Sequence, residues 1–352
     1  MVLPHRSNPE FRLSRQMARG GVLLTLTILG NLVWACVPQG VGSPQPPLER
    51  VDHHLHILSP ELLIRWRAAG GGFPLPDSAY VRGREILRRA EAQGGLLISM
   101  GHALGSPSLR RDLGLTPQGE RDLVRGLHDH MAREVASLEG RAVAFCSVPL
   151  LQPWALDELR RCREELGILG VKLHLPVSGV DLRRPEHLSL VASIARNAAA
   201  VGAPLMIHLA PPVGHLTAGE VRAFFRDVVL PNRGLEMILA HLGGNGGYRA
   251  SARRVLAELI RLTEDEAPGY PLRVRLELSG VILTGVTLGV PPLSIRDARD
   301  LVADLRRVGL ERVLFGSDYP VFSGSDVENA LRTGVPFHPW EVDIILRNRG
   351  AQ

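Results

Sequence analysis

Lysine is almost absent from this chain. Its 352 residues include 41 lysines and arginines, and Lys172 is the only lysine among them. Aromatic residues are also scarce, at 5% of the sequence, and no run of basic residues is interleaved with them. A nucleic-acid partner is therefore not expected. Because arginine stands almost everywhere that lysine could, we expect Lys172 to occupy a position where a guanidinium group does not serve. A chance survivor or a purely steric role is the alternative.

Cysteine is equally rare, since Cys36, Cys146 and Cys162 are the only three. This number is too small for a disulfide framework. Cys146 and Cys162 fall in a strand-like pattern and in the helical pattern after it, and a bridge between them is not expected.

The first 35 residues have the pattern of an export signal. Arginines precede an apolar stretch at residues 21–35 that is short for a membrane span, and Cys36 follows directly. Residues 33–36, Val-Trp-Ala-Cys, resemble the bacterial lipoprotein processing box, in which the cysteine is lipidated. We expect a signal peptide at 1–35 with lipidated Cys36, a flexible linker at 36–48 that is rich in proline and glycine, and a folded domain at 49–352. Ordinary cleavage and an uncleaved anchor are the alternatives.

This segment also affects the charge and the expected location. Residues 1–35 carry four arginines against Glu10, a net +3 of the chain's +5, so the mature protein keeps only +2. We expect a lipoprotein anchored in the bacterial cell envelope on the periplasmic side, or otherwise a periplasmic protein.

From residue 50 onward, short apolar runs alternate with amphipathic, helix-like segments. Runs such as Leu96-Leu97-Ile98 lack the alternation of a half-exposed sheet, which is typical of parallel strands covered on both faces. Repeated units of this kind predict an α/β fold, a single-domain (β/α)8 TIM barrel, with a doubly wound open sheet as the alternative. The predicted strands are 50–57, 95–102, 142–149, 168–175, 204–210, 235–242, 274–282 and 312–318.

Polar residues recur where these predicted strands end, which is where TIM barrels carry their chemistry. His54 and His56 share one face of the first strand, so both imidazoles can approach one metal while Leu55 packs away from them. The polar residues at strand ends are His54, His56, His102, Lys172, His174, His208, His241 and Asp318. Histidines expected to be solvated are His128, His130, His187 and His338.

Five motifs contain most of these residues, namely DHHLH at 52–56, GVKLH at 170–174, MIH at 206–208, AHLGG at 240–244 and FGSDYP at 315–320. Together they resemble the amidohydrolase superfamily, in particular the amidohydrolase-related branch that includes aminocarboxymuconate semialdehyde decarboxylase. The resemblance implies that His54, His56, His208 and Asp318 bind a divalent metal, most often Zn²⁺. It also implies that His241 and Asp318 are catalytic and handle protons.

Lys172 leaves the metal count open. The motif around it resembles a segment of dihydroorotases, in which a lysine on strand four is carbamylated and bridges two metals. The resemblance thus implies one ion, or two if Lys172 is carbamylated; an ammonium that holds a substrate carboxylate is the other interpretation. His174 and His102 are further candidates for second-metal or substrate contacts.

The expected activity is that of a metal-dependent hydrolase, in which metal-activated water attacks an amide, lactone or related carbon centre of a small molecule. A non-oxidative decarboxylase or hydratase on the same scaffold is the second interpretation, and a non-catalytic exported binding lipoprotein is the third. Membrane contact is expected only through the lipid anchor, and a homo-oligomer is left open. Substrate specificity is assigned to the loops at 58–78, 103–117 and 211–217.

Overall fold

The computed structural model describes residues 50–211, 214–264, 272–285 and 290–350. The predicted export signal, Cys36 and the linker lie outside these residues. Within them, eight parallel strands form one sheet, and each strand pairs with the next along the chain. The strands are β1 (Val51–Ile57), β2 (Gly94–Ser99), β3 (Ala142–Ser147), β4 (Gly170–His174), β5 (Leu205–His208), β6 (Met237–Leu239), β7 (Val274–Glu277) and β8 (Val313–Leu314).

The sheet closes because β1 also contacts the segment that follows β8. The backbone N–H of His53 donates to Phe315 O at 3.0 Å, and that of His56 donates to Tyr319 O at 2.9 Å. Leu55 forms a parallel bridge with Tyr319. The predicted (β/α)8 TIM barrel is confirmed and the open sheet is excluded, although several strands end earlier than their apolar runs suggest.

Helices alternate with the strands, and several of them begin at a serine or threonine followed by proline. Ser59, Ser106 and Thr116 each accept a hydrogen bond from a backbone N–H in the first turn, which satisfies a donor that the helix leaves unpaired. None of the described helices is long and apolar enough to cross a membrane. The helices are α1 (Pro60–Ala68), α2 (Ser78–Val81), α3 (Gly83–Arg89), α4 (Pro107–Asp112), α5 (Pro117–Ala136), α6 (Ala155–Glu164), α7 (Pro185–Ala200), α8 (Ala218–Phe224), α9 (Ala250–Glu264), α10 (Ile295–Val308), α11 (Gly324–Thr333) and α12 (Pro339–Arg347).

Two apolar layers hold the barrel together. The larger layer lies between strands and helices, and a smaller cluster that includes Phe145 and Met206 fills the barrel interior. Gly170 makes room for the interior ring, because a Cβ at Gly170 would lie 2.6 Å from Phe145 Cζ. Lys172 is two residues further along β4 and therefore shares the inward-facing side of the strand.

Cys146 and Cys162 form a disulfide that links β3 to α6. The expectation that they would not pair was wrong. Both side chains are buried in the layer between strands and helices, and their Cα atoms are 6.5 Å apart, a separation that a disulfide can bridge. Helix α6 follows β3 directly and packs against it, which brings the two residues together.

Three of the four histidines predicted to be solvated are buried instead. His128, His130 and His187 are less than a tenth exposed, and only His338 lies at the surface. Each buried ring has a hydrogen-bond partner outside its own helix: His128 Nδ1 donates to Glu158 Oε1 at 2.8 Å, for example. Such partners allow a polar ring to be buried, and a helical sequence pattern does not show them.

Candidate active site

The eight polar residues predicted at strand ends all line one cavity at the carboxyl end of the barrel. Its volume is about 480 Å³, a size that suits a small molecule. Some of these residues lie in strands, as predicted. His102, however, lies in a short 3-10 turn directly after β2, His241 lies in a left-handed turn directly after β6, and Asp318 follows β8.

His54, His56 and Asp318, here called the metal-ligand group, bring their donor atoms together. His56 Nε2 lies 3.0 Å from Asp318 Oδ1, and His54 Nε2 lies 3.4 Å from the same oxygen. One donor atom from each residue lies within 4.8 Å of the other two. Burial lowers the pKa of His54 well below its usual value, which keeps the ring neutral and able to bind a metal. Two imidazoles and a carboxylate are a donor set that fits a divalent transition metal.

Glu277 fixes the orientation of His54. This carboxylate is fully buried at the end of β7, and its Oε2 accepts a hydrogen bond from His54 Nδ1 at 2.9 Å. It also accepts from the backbone N–H of Ser279. Because Nδ1 carries the donated proton, Nε2 of His54 is the nitrogen left for a metal, as is typical of histidine ligands backed by a carboxylate.

Asp52 connects the two chain segments that supply the metal-ligand group. Its Oδ1 accepts from the backbone N–H of His54 at 2.9 Å and from that of Ser317 at 3.0 Å. Burial raises the pKa of Asp52 to about 7, although these hydrogen bonds act to lower it. Since Ser317 immediately precedes Asp318, one side chain positions ligands from the first strand and from the segment that follows the last strand.

Lys172 lies beside the metal-ligand group. Its Nζ is 3.3 Å from His54 Nε2, and the side chain is 1% exposed. Burial lowers the pKa of Lys172 to about 8, although the charges of Asp318 and Glu277 act to raise it. An amine in this position can lose its proton close to neutral pH, whereas arginine would stay charged.

His241 and Asp318 adopt a strained backbone conformation. Their φ angles are 54° and 59°, in the left-handed region that costs a residue other than glycine about 1–3 kcal/mol and is concentrated at functional sites. His241 Nδ1 donates to the carbonyl oxygen of Ser279 at 2.7 Å. A neutral His241 ring therefore keeps Nε2 as its proton acceptor.

His174 and His208 stack against each other, with ring centroids 4.1 Å apart. Burial lowers the pKa of both rings well below the usual value. His208 Nε2 donates to Asn245 Oδ1 at 3.0 Å. His208 thus lines the cavity, but the structure does not place its nitrogens in the metal-ligand group.

His102 is oriented by Ser147, the last residue of β3. Ser147 Oγ accepts from the backbone N–H of His102 at 2.9 Å and lies 2.6 Å from its Nδ1. If the serine hydroxyl donates to Nδ1, the neutral His102 ring carries its proton on Nε2. His102 would then present a hydrogen-bond donor to a substrate.

A profile of known protein families adds a decisive observation. The profile described as amidohydrolase matches residues 51–332, which include all eight strands and every residue of the cavity. The chain belongs to the amidohydrolase family. Members of this family are metal-dependent enzymes, and this amidohydrolase presents a donor set that fits a metal.

One curated relative of this amidohydrolase is the 2-amino-3-carboxymuconate-6-semialdehyde decarboxylase of Dictyostelium discoideum, which is 32% identical over 93 residues. The aligned stretch spans 26% of the chain and only 25% of that relative.

Solved structures share the fold. A 2,6-dihydroxybenzoate decarboxylase from Rhizobium has a TM-score of 0.55 at 16% identity, covering 85% of the chain and 96% of that structure. A 5-carboxyvanillate decarboxylase from Novosphingobium aromaticivorans, complexed with manganese and 4-hydroxy-3-methoxy-5-nitrobenzoic acid, has a TM-score of 0.53 at 14% identity, covering 87% and 95%. A 4-oxalomesaconate hydratase from Rhodopseudomonas palustris has a TM-score of 0.50 at 13% identity, covering 84% and 93%.

Two residues of the amidohydrolase site were missed by sequence reasoning. Glu277 and Ser147 end β7 and β3, the two strands to which no functional residue was assigned. Both carried the signal that identified the others, a polar residue at the carboxyl end of an apolar run. Neither contacts the cavity directly, and each acts through a histidine that does.

We predict that Glu277→Gln weakens metal binding by about 10- to 100-fold, because His54 loses the carboxylate that fixes its ring. Metal content per chain would be measured by mass spectrometry after equilibration with buffered Zn²⁺ or Mn²⁺, with circular dichroism as the test of folding. The unaltered protein is expected to bind one ion.

Glu341→Gln is the matched control. Glu341 is also a buried glutamate, 1% exposed, but it pairs with Arg306 on the outer helices and does not line the cavity. Equal metal affinity in the two variants would contradict the role of Glu277.

Proposed function

We propose that this amidohydrolase is a metal-dependent hydrolase, in which metal-activated water attacks an amide, lactone or related carbon centre of a small molecule. The observation that carries the proposal is that the metal-ligand group shares its cavity with His241, whose hydrogen bond from Nδ1 to the carbonyl oxygen of Ser279 leaves Nε2 as the nitrogen that can accept a proton. A divalent metal bound there supplies Lewis acidity and lowers the pKa of a water toward neutrality.

The residues have distinct roles in this proposal. His54, His56 and Asp318 hold the metal, and His208 is the further ligand that family resemblance implies. Nε2 of His241 accepts the proton of the attacking water and returns it to the leaving group. The second oxygen of Asp318 accepts a hydrogen bond from the nucleophile. The imidazoles suit Zn²⁺, and the manganese in the 5-carboxyvanillate decarboxylase makes Mn²⁺ the other candidate.

We further propose that Lys172 acts on the substrate as an amine or ammonium, and that one metal is bound. Its Nζ is only 3.3 Å from His54 Nε2 and lines the same cavity, so a substrate bound beside the metal-ligand group would meet this amine. The count from metal analysis separates this role from carbamylation, because two ions per chain would indicate a bridging Lys172.

A non-oxidative decarboxylase is the second candidate. It is favoured by the partial match to a curated decarboxylase and by the decarboxylases among the structures of similar fold. A hydratase of similar fold also occurs. The same cavity residues can serve these reactions, since each needs a metal, a proton donor and a proton acceptor.

The nature of the product tests the hydrolase proposal. Metal-loaded protein would be incubated in ¹⁸O-labelled water with lactones, N-acyl amino acids and aromatic carboxylates. We expect a new carboxylate that carries one labelled oxygen from the water. Release of carbon dioxide from an aromatic carboxylate, without a labelled carboxylate product, would establish the decarboxylase instead.

His241→Asn is expected to lower kcat by about 10²- to 10⁴-fold while metal content stays unchanged, because the proton acceptor is lost but the ligands are not. Turnover and bound metal would be measured on the same preparation. His338→Asn, at the exposed start of α12, should behave like the unaltered enzyme. A variant at His241 that retains full kcat would exclude this residue as the base.

We also propose that the protein is exported and anchored through lipidated Cys36. The signal-like residues 1–35 support this, and the buried Cys146–Cys162 disulfide is typical of oxidising compartments. Full-length protein expressed in bacteria should label with palmitate and fractionate with membranes, and Cys36→Ala should abolish the labelling. Cys162→Ala is the control and should still be labelled. Labelling that persists in Cys36→Ala would contradict the proposal.

A further inference from the structure

We propose that the cavity selects substrates that have an apolar, preferably aromatic, body and at most one anionic group. Trp66, Phe73 and Tyr80, here called the aromatic wall, would bind that body. The inference rests on the proposed function in one respect, because it concerns the same cavity. It adds a substrate class that the metal-ligand group does not define.

The aromatic wall is a continuous surface. Trp66 and Phe73 meet edge to face with centroids 5.5 Å apart, and Phe73 and Tyr80 do the same at 5.2 Å. All three residues line the cavity together with the metal-ligand group. A substrate whose reacting centre lies at the histidines can therefore lay its remaining surface against aromatic rings, which prefer offset or edge contacts with other rings.

The wall is built in advance of binding. Gly71 allows its rings to meet, since a Cβ there would lie 2.5 Å from Trp66 Cδ1 and 2.8 Å from Phe73 Cε2. Arg67 Nη2 donates to the carbonyl oxygens of Phe73 and Leu75, both at 3.1 Å. A surface already held in place binds a ligand with little loss of conformational entropy.

Fixed positive charge is almost absent from the cavity. The chain has 40 arginines, yet none lies among the described residues that line it. Three segments within residues 50–350 are not described by the structure, namely 212–213, 265–271 and 286–289. Their sequence contains no arginine or lysine. Among the lining residues that the structure describes, Lys172 is the single lysine or arginine, and it lies beside His54.

Arg67 stands close to the wall but has other partners. Its guanidinium carbon is 5.9 Å from the centroid of Phe73, and the group is paired with Asp77. A substrate with a second carboxylate against the wall would thus lose water without gaining a cation, which is strongly unfavourable.

Binding of small probe molecules tests both parts of the inference, and the same NMR spectra show whether a probe is cleaved. Dissociation constants would be measured by ligand-observed NMR for benzamide and acetamide, with chelator-treated and with metal-loaded protein. Benzoate and benzene-1,3-dicarboxylate would be compared with metal-loaded protein. We expect benzamide to bind about tenfold or more tightly than acetamide in both forms, from burial of the ring. Benzoate should bind about tenfold or more tightly than the dicarboxylate.

Variants assign these preferences to residues. Phe73→Ala should lose most of the preference for benzamide and leave acetamide binding unchanged. Ile64→Ala is the matched control, because Ile64 lies on α1 with Trp66 but is 64% exposed. Val321 lines the cavity and is 41% exposed, so Val321→Arg adds a cation without burying it. That variant should raise affinity for the dicarboxylate by about tenfold.

The outcomes separate this inference from the proposed function. Equal binding of benzamide and acetamide, tight dicarboxylate binding by the unaltered protein, or no gain in Val321→Arg would each overturn the inference, even if the protein binds metal and hydrolyses a substrate. Conversely, the expected probe preferences in a protein that binds no metal and turns over no substrate would uphold the aromatic wall while overturning the proposed function.

Discussion

The site depends on the closure of the barrel between its first strand and the segment after its last. His56 and Asp318 are 262 residues apart in the chain, and they meet only because this closure is made. Backbone hydrogen bonds from His53 and His56 form it, and the buried carboxylate of Asp52 sets its register by accepting from His54 and Ser317. The ligand geometry is thus a property of the closed ring rather than of any single strand.

The sequence was informative about this architecture because strand ends are a positional signal. Apolar runs located the strands, and the polar residues that follow them reach one cavity, as His54, Lys172 and His241 do. What could not be read from the pattern are contacts between segments. Three examples are the hydrogen bond from His54 to Glu277, the burial of His128 against Glu158 and the Cys146–Cys162 bond. Each depends on which residues two elements bring face to face.

Backbone conformation was also beyond the sequence pattern. His241 and Asp318 have positive φ angles, although neither residue is glycine. Local preference disfavours this conformation, and the surrounding barrel imposes it. In both cases the residue that bears the strain is one to which family resemblance assigns a chemical role.

Charge is segregated within the molecule. Arginines form ion pairs on the outer helices, such as Arg306 with Glu341 and Arg161 with Glu158. The cavity has imidazoles, several of which have a pKa lowered by burial, together with one carboxylate and one amine of lowered pKa. Such a cavity responds strongly to any added charge, because few other fixed charges compete within it.

The aromatic wall comes from one uninterrupted stretch of chain between β1 and α3, whereas the metal-ligand group is assembled from opposite ends of the sequence. Recognition and chemistry are therefore encoded separately in the gene. A change confined to residues 58–80 would alter the proposed recognition surface without replacing any residue of the metal-ligand group. If the wall binds substrate as proposed, the substrate preference of the scaffold and its reaction chemistry can be changed at different places in the gene.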